Sequence, residues 1–287
     1  MTTKGAFMSS RIFYSFIVFC FIFCGISAIP ASQTAWADQS LMMATTTSTD
    51  NTGLLDELGP MFEDDTGIEL KWTAVGTGKA LELGRNCDVD VLLVHAPAAE
   101  KEYVQNGYGV DRREVMYNDF VIIGPPSDPA GIKGMNVDEA MTALTEKKTG
   151  FASRGDDSGT NKKERQLWTS ADLQIPDGQD WYLETGQGML ATIRIAAERD
   201  LYTMTDRGTY IKYSHSHDGN PPLNILVQGD KSLFNQYSVI AVSPDNCPNV
   251  QYDLAVRFSD WITSPKVQEA IGSYMLLNKK LFTPNAN

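Results

Sequence analysis

The sequence predicts an α/β fold in which strands run through polar, glycine-bearing turns into helices. Two contrasting strands predict it. Ile68–Val75 alternates apolar and polar residues as a half-buried strand does, whereas Asp88–Val94 is nearly continuous in apolar residues, as a parallel strand covered on both faces requires. A third observation is that glycine, hydroxyl or proline residues follow such strands, and apolar residues at helical spacing come next. Repeating this unit brings strand ends to one edge, where open α/β sheets take their ligands.

In chain order, Leu41-Met42-Met43-Ala44 is a short first strand that ends in four consecutive hydroxyls, Thr45-Thr46-Thr47-Ser48. The helix behind them is capped by Asn51 or Thr52 and carries Leu54, Leu55, Leu58, Met61 and Phe62 on one face, with Gly67 closing it. Hydroxyl and amide donors in such a bend can wrap an oxyanion without a compensating cation; a Thr-rich turn that only caps the helix is the competing reading. After Ile68–Val75, Gly76-Thr77-Gly78-Lys79-Ala80-Leu81 repeats the unit. It is not a nucleotide P-loop, because the first glycine of that motif would fall at Thr73 and Ala80 replaces the magnesium-binding Ser or Thr. His95-Ala96-Pro97 ends the Asp88–Val94 strand, so His95 faces the same edge, although a lone histidine there is more often structural.

Met116–Pro125 reads as a long strand able to carry the chain out of a first domain, followed by a helix over Val137–Thr145. Phe151-Ala152-Ser153-Arg154-Gly155-Asp156-Asp157-Ser158-Gly159-Thr160 then passes from an apolar edge through a polar turn into a helix over Asn161–Trp168. Asp157, Ser158, Thr160 and Asn161 are all good N-cap types, and Asn161 with Glu164 has capping-box spacing. A helix start offers free N–H donors, and Arg154 adds a planar fork suited to an oxyanion. Against that stands the plain account, in which the hydroxyls cap a helix and Arg154 makes a surface ion pair. The spaced ligands and closing Glu of a calcium loop are missing.

Beyond this turn, Trp181–Leu183 precedes a further glycine loop, Gly186-Gln187-Gly188, and a helix over Met189–Arg199. Tyr202–Arg207 reads as strand and turn, and Ser214–Pro222 as loop, where the His215-x-His217 pair has no third ligand and reads as solvent-exposed. Ile225–Val227 is a strand, and Asn235–Pro244 a long one that can return the chain. Helical spacing resumes over Tyr252–Trp261 and Ser264–Leu276.

The first 37 residues read as an export signal: Lys4 and Arg11, an apolar run from Ile12 to Ile29, and Ala35-Trp36-Ala37 as a cleavage site before Asp38. Phe precedes both Cys20 and Cys24, which argues against lipid anchoring. The expectation is a soluble protein beyond the inner membrane. About 250 residues remain, enough for one large or two medium domains. That segment holds two cations and no acids, so its removal takes the net charge from −12 to −14. Such a chain is no candidate for nucleic acid, and any anion must be held by local donors against the field of the whole molecule. Cys87 and Cys247 remain, an even pair in an oxidising compartment. No G-x-S-x-G elbow, zinc ligand spacing or nucleophile–base pair stands out, which favours binding over catalysis.

Taken together, Thr45-Thr46-Thr47-Ser48, Val75-Gly76-Thr77-Gly78-Lys79-Ala80, Val94-His95-Ala96-Pro97, Tyr117-Asn118-Asp119-Phe120, Ser153-Arg154-Gly155-Asp156, Ser158-Gly159-Thr160 and Gly186-Gln187-Gly188-Met189 match one family in order and spacing. The chain resembles the periplasmic tungstate-binding proteins of ABC importers, TupA-type, over essentially the whole mature length. More distant phosphate-binding receptors are similar only in the turn holding Arg154, Asp156, Ser158, Gly159 and Thr160.

The resemblance implies a two-domain periplasmic binding protein of type II topology with two crossover strands as hinge. Residues 38–119 and 239–287 would form domain I, and residues 120–238 domain II. It implies tungstate as ligand with molybdate a close competitor, an ABC permease and its ATPase as partners, no cofactor, no nucleic acid, a monomer, and membrane contact only through the permease. The ligand set it suggests is Thr45, Thr46, Thr47, Ser48, Gly76, Thr77, Arg154, Ser158, Gly159 and Thr160, with Asp156 holding Arg154. In this topology the returning strand Val239–Ser243 inserts antiparallel beside Val89–Val94, which puts Cys87 and Cys247 at one sheet end and makes a disulfide plausible. Two alternatives stay open: a receptor for phosphate or another oxyanion, and a secreted enzyme acting on an anionic substrate.

Overall fold

The computed structural model describes residues 39–286. The export signal lies outside the described residues. β1 (Gln39–Thr46) runs directly into a one-turn helix α1 (Thr47–Asp50), and α2 (Leu54–Thr66) follows. The N-cap of α2 is Gly53 at φ 83°, not Asn51 or Thr52, although Thr52 Oγ1 still accepts the Leu54 amide at 3.2 Å. Thr46 is instead the cap of α1, so the hydroxyl run is the end of a strand and the start of a helix with no loop between. β2 (Ile68–Val75), α3 (Thr77–Arg85), β3 (Val91–Val94) and α4 (Pro97–Gln105) complete a βαβαβα unit. β1 pairs in parallel with both β2 and β3.

β4 is longer than the sequence suggested, Gly109–Gly124. α5 (Val137–Lys147), β5 (Phe151–Ser153), α6 (Gly159–Ser170), β6 (Tyr182–Glu184), α7 (Met189–Glu198) and β7 (Tyr202–Asp206) build a second parallel set, in which β5 pairs with both β6 and β7. Between the turn expected at Arg207 and the loop expected from Ser214 lies a helix that the sequence reading leaves out, α8 (Arg207–His215), capped by Asp206. Its low amphipathicity hid it: only Gly208 and Tyr213 are buried. β8 (Asn224–Val227) leads through a short turn to β9 (Phe234–Val242), then α9 (Tyr252–Ile262) and α10 (Pro265–Ser273). The chain ends in a hairpin, β10 (Met275–Leu276) and β11 (Lys279–Lys280), and in β12 (Thr283–Pro284).

The strands join in the order β2-β1-β3-β9-β4-β7-β5-β6, with β8 and β12 also on β4. β4 changes partner midway: Asp119 still faces Phe234 of β9, while Phe120 faces Asp206 of β7. Separate apolar clusters lie on either side of that change. Leu41, Phe62, Val91, Phe258 and Ile271 belong to one, and Phe120, Phe151, Trp168, Tyr202 and Leu233 to another. The strand interiors are apolar because parallel strands are covered on both faces.

β3 and β9 are antiparallel, with Val91 opposite Ala241 and Val94 opposite Ser238. Cys87 and Cys247 are joined in a disulfide with their Cα atoms 5.5 Å apart and a sequence separation of 160. Removing both thiols (C87A/C247A) is expected to lower the unfolding free energy by about 2–4 kcal/mol, by releasing a long loop in the unfolded chain. Urea melts with and without reductant check this; a double variant as stable as the oxidised protein would show that the link contributes nothing.

Candidate functional site

β1, β2 and β3 point their carboxyl ends at the same cleft as those of β5, β6 and β7. The cleft encloses about 850 Å³. Thr46, Thr47 and Ser48 come from β1, Gly76 to Lys79 from β2 and His95 from β3; Arg154 to Thr160 come from β5, Gly188 to Ala191 from β6, and Asp206 from β7. The starts of α3, α6 and α7 are among the helix starts that open onto it. α3 and α7 begin at Gly76 and Gly188 without any side-chain cap, and their first intrahelical bonds are made only by Ala80 and Thr192. The earlier amides of each are therefore donors in search of an acceptor, at the positive end of a helix.

Of the four cap types the sequence offers before α6, Ser158 is the N-cap, its Oγ accepting the Asn161 amide at 3.3 Å; the Asn161–Glu164 capping box does not form, and both residues are buried inside the helix. Glu164 serves a different purpose: Oε1 accepts from Trp168 Nε1 and from Tyr182 OH, each at 2.7 Å, and Oε2 accepts from Ser153 Oγ. Asn161 Nδ2 donates to the same Ser153 Oγ at 3.1 Å, and Asn161 Oδ1 accepts the Asp157 amide at 3.1 Å. The turn that carries Arg154 is thus braced from beneath by a buried carboxylate. Burial pushes the Glu164 pKa up, against the Ser153, Trp168 and Tyr182 hydrogen bonds. Gly155 sits at φ 60°, and a Cβ there would come within 2.8 Å of the Glu184 side chain, so the turn needs glycine on both counts.

Arg154 is one-fifth exposed and lines the cleft. Its Nε and Nη2 donate to Asp156 Oδ2 at 3.1 and 2.5 Å, and Asp156 Oδ1 accepts the Ser158 amide at 3.2 Å. Burial works against the Asp156 carboxylate, but the Ser158 and Arg154 hydrogen bonds outweigh it and hold the pKa below its ordinary value. Asp156 is therefore spent on positioning the guanidinium. Two further carboxylates line the cleft: Asp206 is likewise engaged, accepting the Thr209 amide at 2.8 Å and the Thr209 hydroxyl at 2.7 Å, and the exposed Asp157 pairs with Lys162 at 3.2 Å.

Of the residues singled out from sequence, Thr46, Thr47, Ser48, Gly76, Thr77, Arg154, Asp156, Ser158, Gly159 and Thr160 all line this one cleft. A Cβ placed on Gly159 would lie 3.8 Å from His95 Cε1 and 3.9 Å from Thr77 Oγ1, so the α6 start faces the β2 and β3 ends directly. Thr45 is the exception: successive strand residues face opposite sides of the sheet, and Thr45 is fully buried with its hydroxyl donating to the Leu93 carbonyl at 2.8 Å. His95 was not in the set, yet Thr46 Oγ1 and Ser48 Oγ both lie 3.0 Å from its Nε2. The signal was its place at the end of β3 just before a proline-started helix. The loop at Gly188 carried the same kind of signal, glycine before a helix.

Residues 31–266 match the family model described as the PBP superfamily domain. The tungstate-binding protein TupA of Campylobacter jejuni is 52% identical over 239 residues, spanning 83% of this chain and 88% of that protein. The solved tungstate-binding protein TupA from Desulfovibrio alaskensis is 62% identical with a TM-score of 0.84, covering 87% of this chain and all of that one. A structure described as the tungstate ABC transporter from Geobacter sulfurreducens is 47% identical with a TM-score of 0.72, covering 82% of this chain and 98% of that one.

Proposed function

The chain belongs to the TupA-type tungstate-binding proteins of the PBP superfamily, and from that premise we propose that it captures tungstate in this cleft and delivers it to an ABC importer. The observation that carries the reading is the donor array: two uncapped helix starts, the α6 turn, the Thr46–Ser48 hydroxyls and Arg154 converge on a cleft in which Asp156 and Asp206 are already engaged and the third carboxylate, Asp157, is solvent-exposed and paired with Lys162. An ion with four oxygens and two charges can accept from all of these at once. Charge-assisted hydrogen bonds contribute about 1.5–3 kcal/mol each, so several of them reach the roughly 12 kcal/mol of nanomolar affinity after the costs of association.

The ligand set we propose is Thr46, Thr47, Ser48, Gly76, Thr77, Arg154, Ser158, Gly159 and Thr160, with Asp156 in support. Residues 38–119 with 239–287 and residues 120–238 would act as two lobes. These close about β4 and β9 where β4 changes partner, and the anion shifts the population toward the closed form. The protein would be exported with cleavage before Asp38 and work as a monomer in the periplasm without cofactor or turnover. Its partners would be a permease and its ATPase.

Calorimetric titration with tungstate, molybdate, sulfate and phosphate in one non-coordinating buffer tests this. Tungstate is expected to bind at nanomolar level, with molybdate a close competitor and sulfate and phosphate far weaker. Phosphate as the tightest ligand, or hydrolysis of a phosphoester, would replace the reading.

A further inference from the structure

Three polar atoms meet on the wall of the cleft formed by β1 and β3. His95 Nε2, Thr46 Oγ1 and Ser48 Oγ form a triangle with every side 3.0 Å. The other ring nitrogen is committed. Nδ1 lies 2.9 Å from Asn235 Oδ1, while Asn235 Nδ2 donates to Asn118 Oδ1 at 2.8 Å and to Tyr237 OH at 3.3 Å. With its amide hydrogens spent there, Asn235 offers only oxygen, so Nδ1 carries a proton in both the neutral and the charged ring.

The two forms of the ring differ only at Nε2. In the neutral ring that nitrogen is an acceptor, and Thr46 or Ser48 must turn its hydroxyl proton toward it. That hydroxyl then shows the cleft lone pairs, which repel an anion. In the imidazolium, Nε2–H donates to the hydroxyl oxygen and the hydroxyl proton is released toward the cleft. Thr46 Oγ1 already accepts the Thr49 amide at 3.2 Å, so Ser48 is the freer hydroxyl for this exchange.

We infer that His95 takes up a proton when a dianionic oxyanion binds, so that proton and anion enter the cleft together; this rests on the oxyanion reading above. Protonation gives the site one more hydroxyl donor and one more positive charge on the wall opposite Arg154. Burial pushes the imidazole pKa down in the free protein, against the Asn235 hydrogen bond and the charge of Asp206.

The groups around the ring come from every neighbouring element. Lining the cleft with His95, Asp206 stands at the start of α8 and Lys212 on α8, Arg154, Asp156 and Asp157 lie in the turn before α6 with Lys162 in α6, and Lys79 is on α3. Glu100 of α4 is paired with Arg112, and the Tyr237 ring of β9 packs 4.8 Å from the imidazole. Added to this set, a dianion is the charge that favours imidazolium. Affinity should accordingly fall as pH rises between the free and bound pKa values of His95, by up to about tenfold per pH unit for one proton.

Sodium tungstate titrated calorimetrically at pH 7–8.5, in buffers of different ionisation enthalpy, measures the uptake. The expected slope is about half to one proton per anion in the natural protein, and near zero in His95→Gln, whose affinity should no longer vary with pH. Imidazole ¹⁵N shifts give a second readout on the natural protein alone, where only three histidines need assignment. His95 should be neutral with its proton on Nδ1 when free, and charged in the complex. Tight binding with buffer-independent heat, or a ring still neutral in the complex, overturns the inference and leaves the oxyanion reading standing. No tungstate binding in any buffer removes both.

Discussion

Replacing Arg154 by Gln should weaken tungstate binding by about a hundredfold to ten-thousandfold and leave the unfolding midpoint near that of the natural protein. The size of the loss follows from two charge-assisted hydrogen bonds at about 1.5–3 kcal/mol each. The small effect on folding follows from position: the guanidinium sits at the mouth of the cleft, and its ion pair with Asp156 is partly solvated, a class of contact worth about 0–1 kcal/mol. Gln removes the charge and the fork together and leaves Asp156 free to swing toward the anion, which adds repulsion. Arg154→Lys should fall between, keeping charge but losing the planar pair of donors. Titration calorimetry separates the three proteins, and an unchanged affinity in the Gln variant would take Arg154 out of the site.

The α/β architecture and the cleft edge were legible because hydrophobic periodicity and strand-end glycines are local signals. Gly76, the Ser158–Gly159 turn and Gly188 announced three of the helix starts that open onto the cleft. The pairing of β3 with β9, and with it the Cys87–Cys247 link, became readable only through family resemblance, since nothing in composition says which distant strand inserts beside another. α8 was missed because a helix with two buried residues has almost no amphipathic stripe to detect. Thr45 was over-read for a related reason. Four hydroxyls in a row look equivalent, but a strand alternates its faces, and only the fold says that Thr45 points at Leu93 while Thr46 meets His95. Glu164 was read as half of a capping box. Its burial against Trp168 and Tyr182, which turns it into the brace beneath the Arg154 turn, depends on contacts 4 and 18 residues away.

Arg112→Met should be the most destabilising single change, by about 3–5 kcal/mol, because it strands a buried carboxylate. Glu100 is fully buried; its Oε2 accepts from Arg112 Nε at 2.9 Å, and its Oε1 accepts the Ala96 amide at 2.6 Å. Burial pushes the Glu100 pKa up, with Arg112 and the Ala96 amide opposing, and loss of the guanidinium leaves burial less opposed. A carboxyl whose pKa rises on folding costs stability above its unfolded pKa, and the cost grows as pH climbs toward the folded value. The deficit of Arg112→Met should therefore be larger at pH 8 than at pH 5, as urea melts at the two values would read. Adding Glu100→Gln should recover much of it, since the amide oxygen still accepts from Ala96 and carries no charge to strand; a double variant no better than the single would mean that Arg112 acts through packing alone. The same pair reaches the cleft, because the Ala96 amide that Glu100 holds follows His95 directly. In the single variant the His95 turn loosens with the core, so tungstate affinity should fall at high pH along with stability and return when Glu100→Gln restores both.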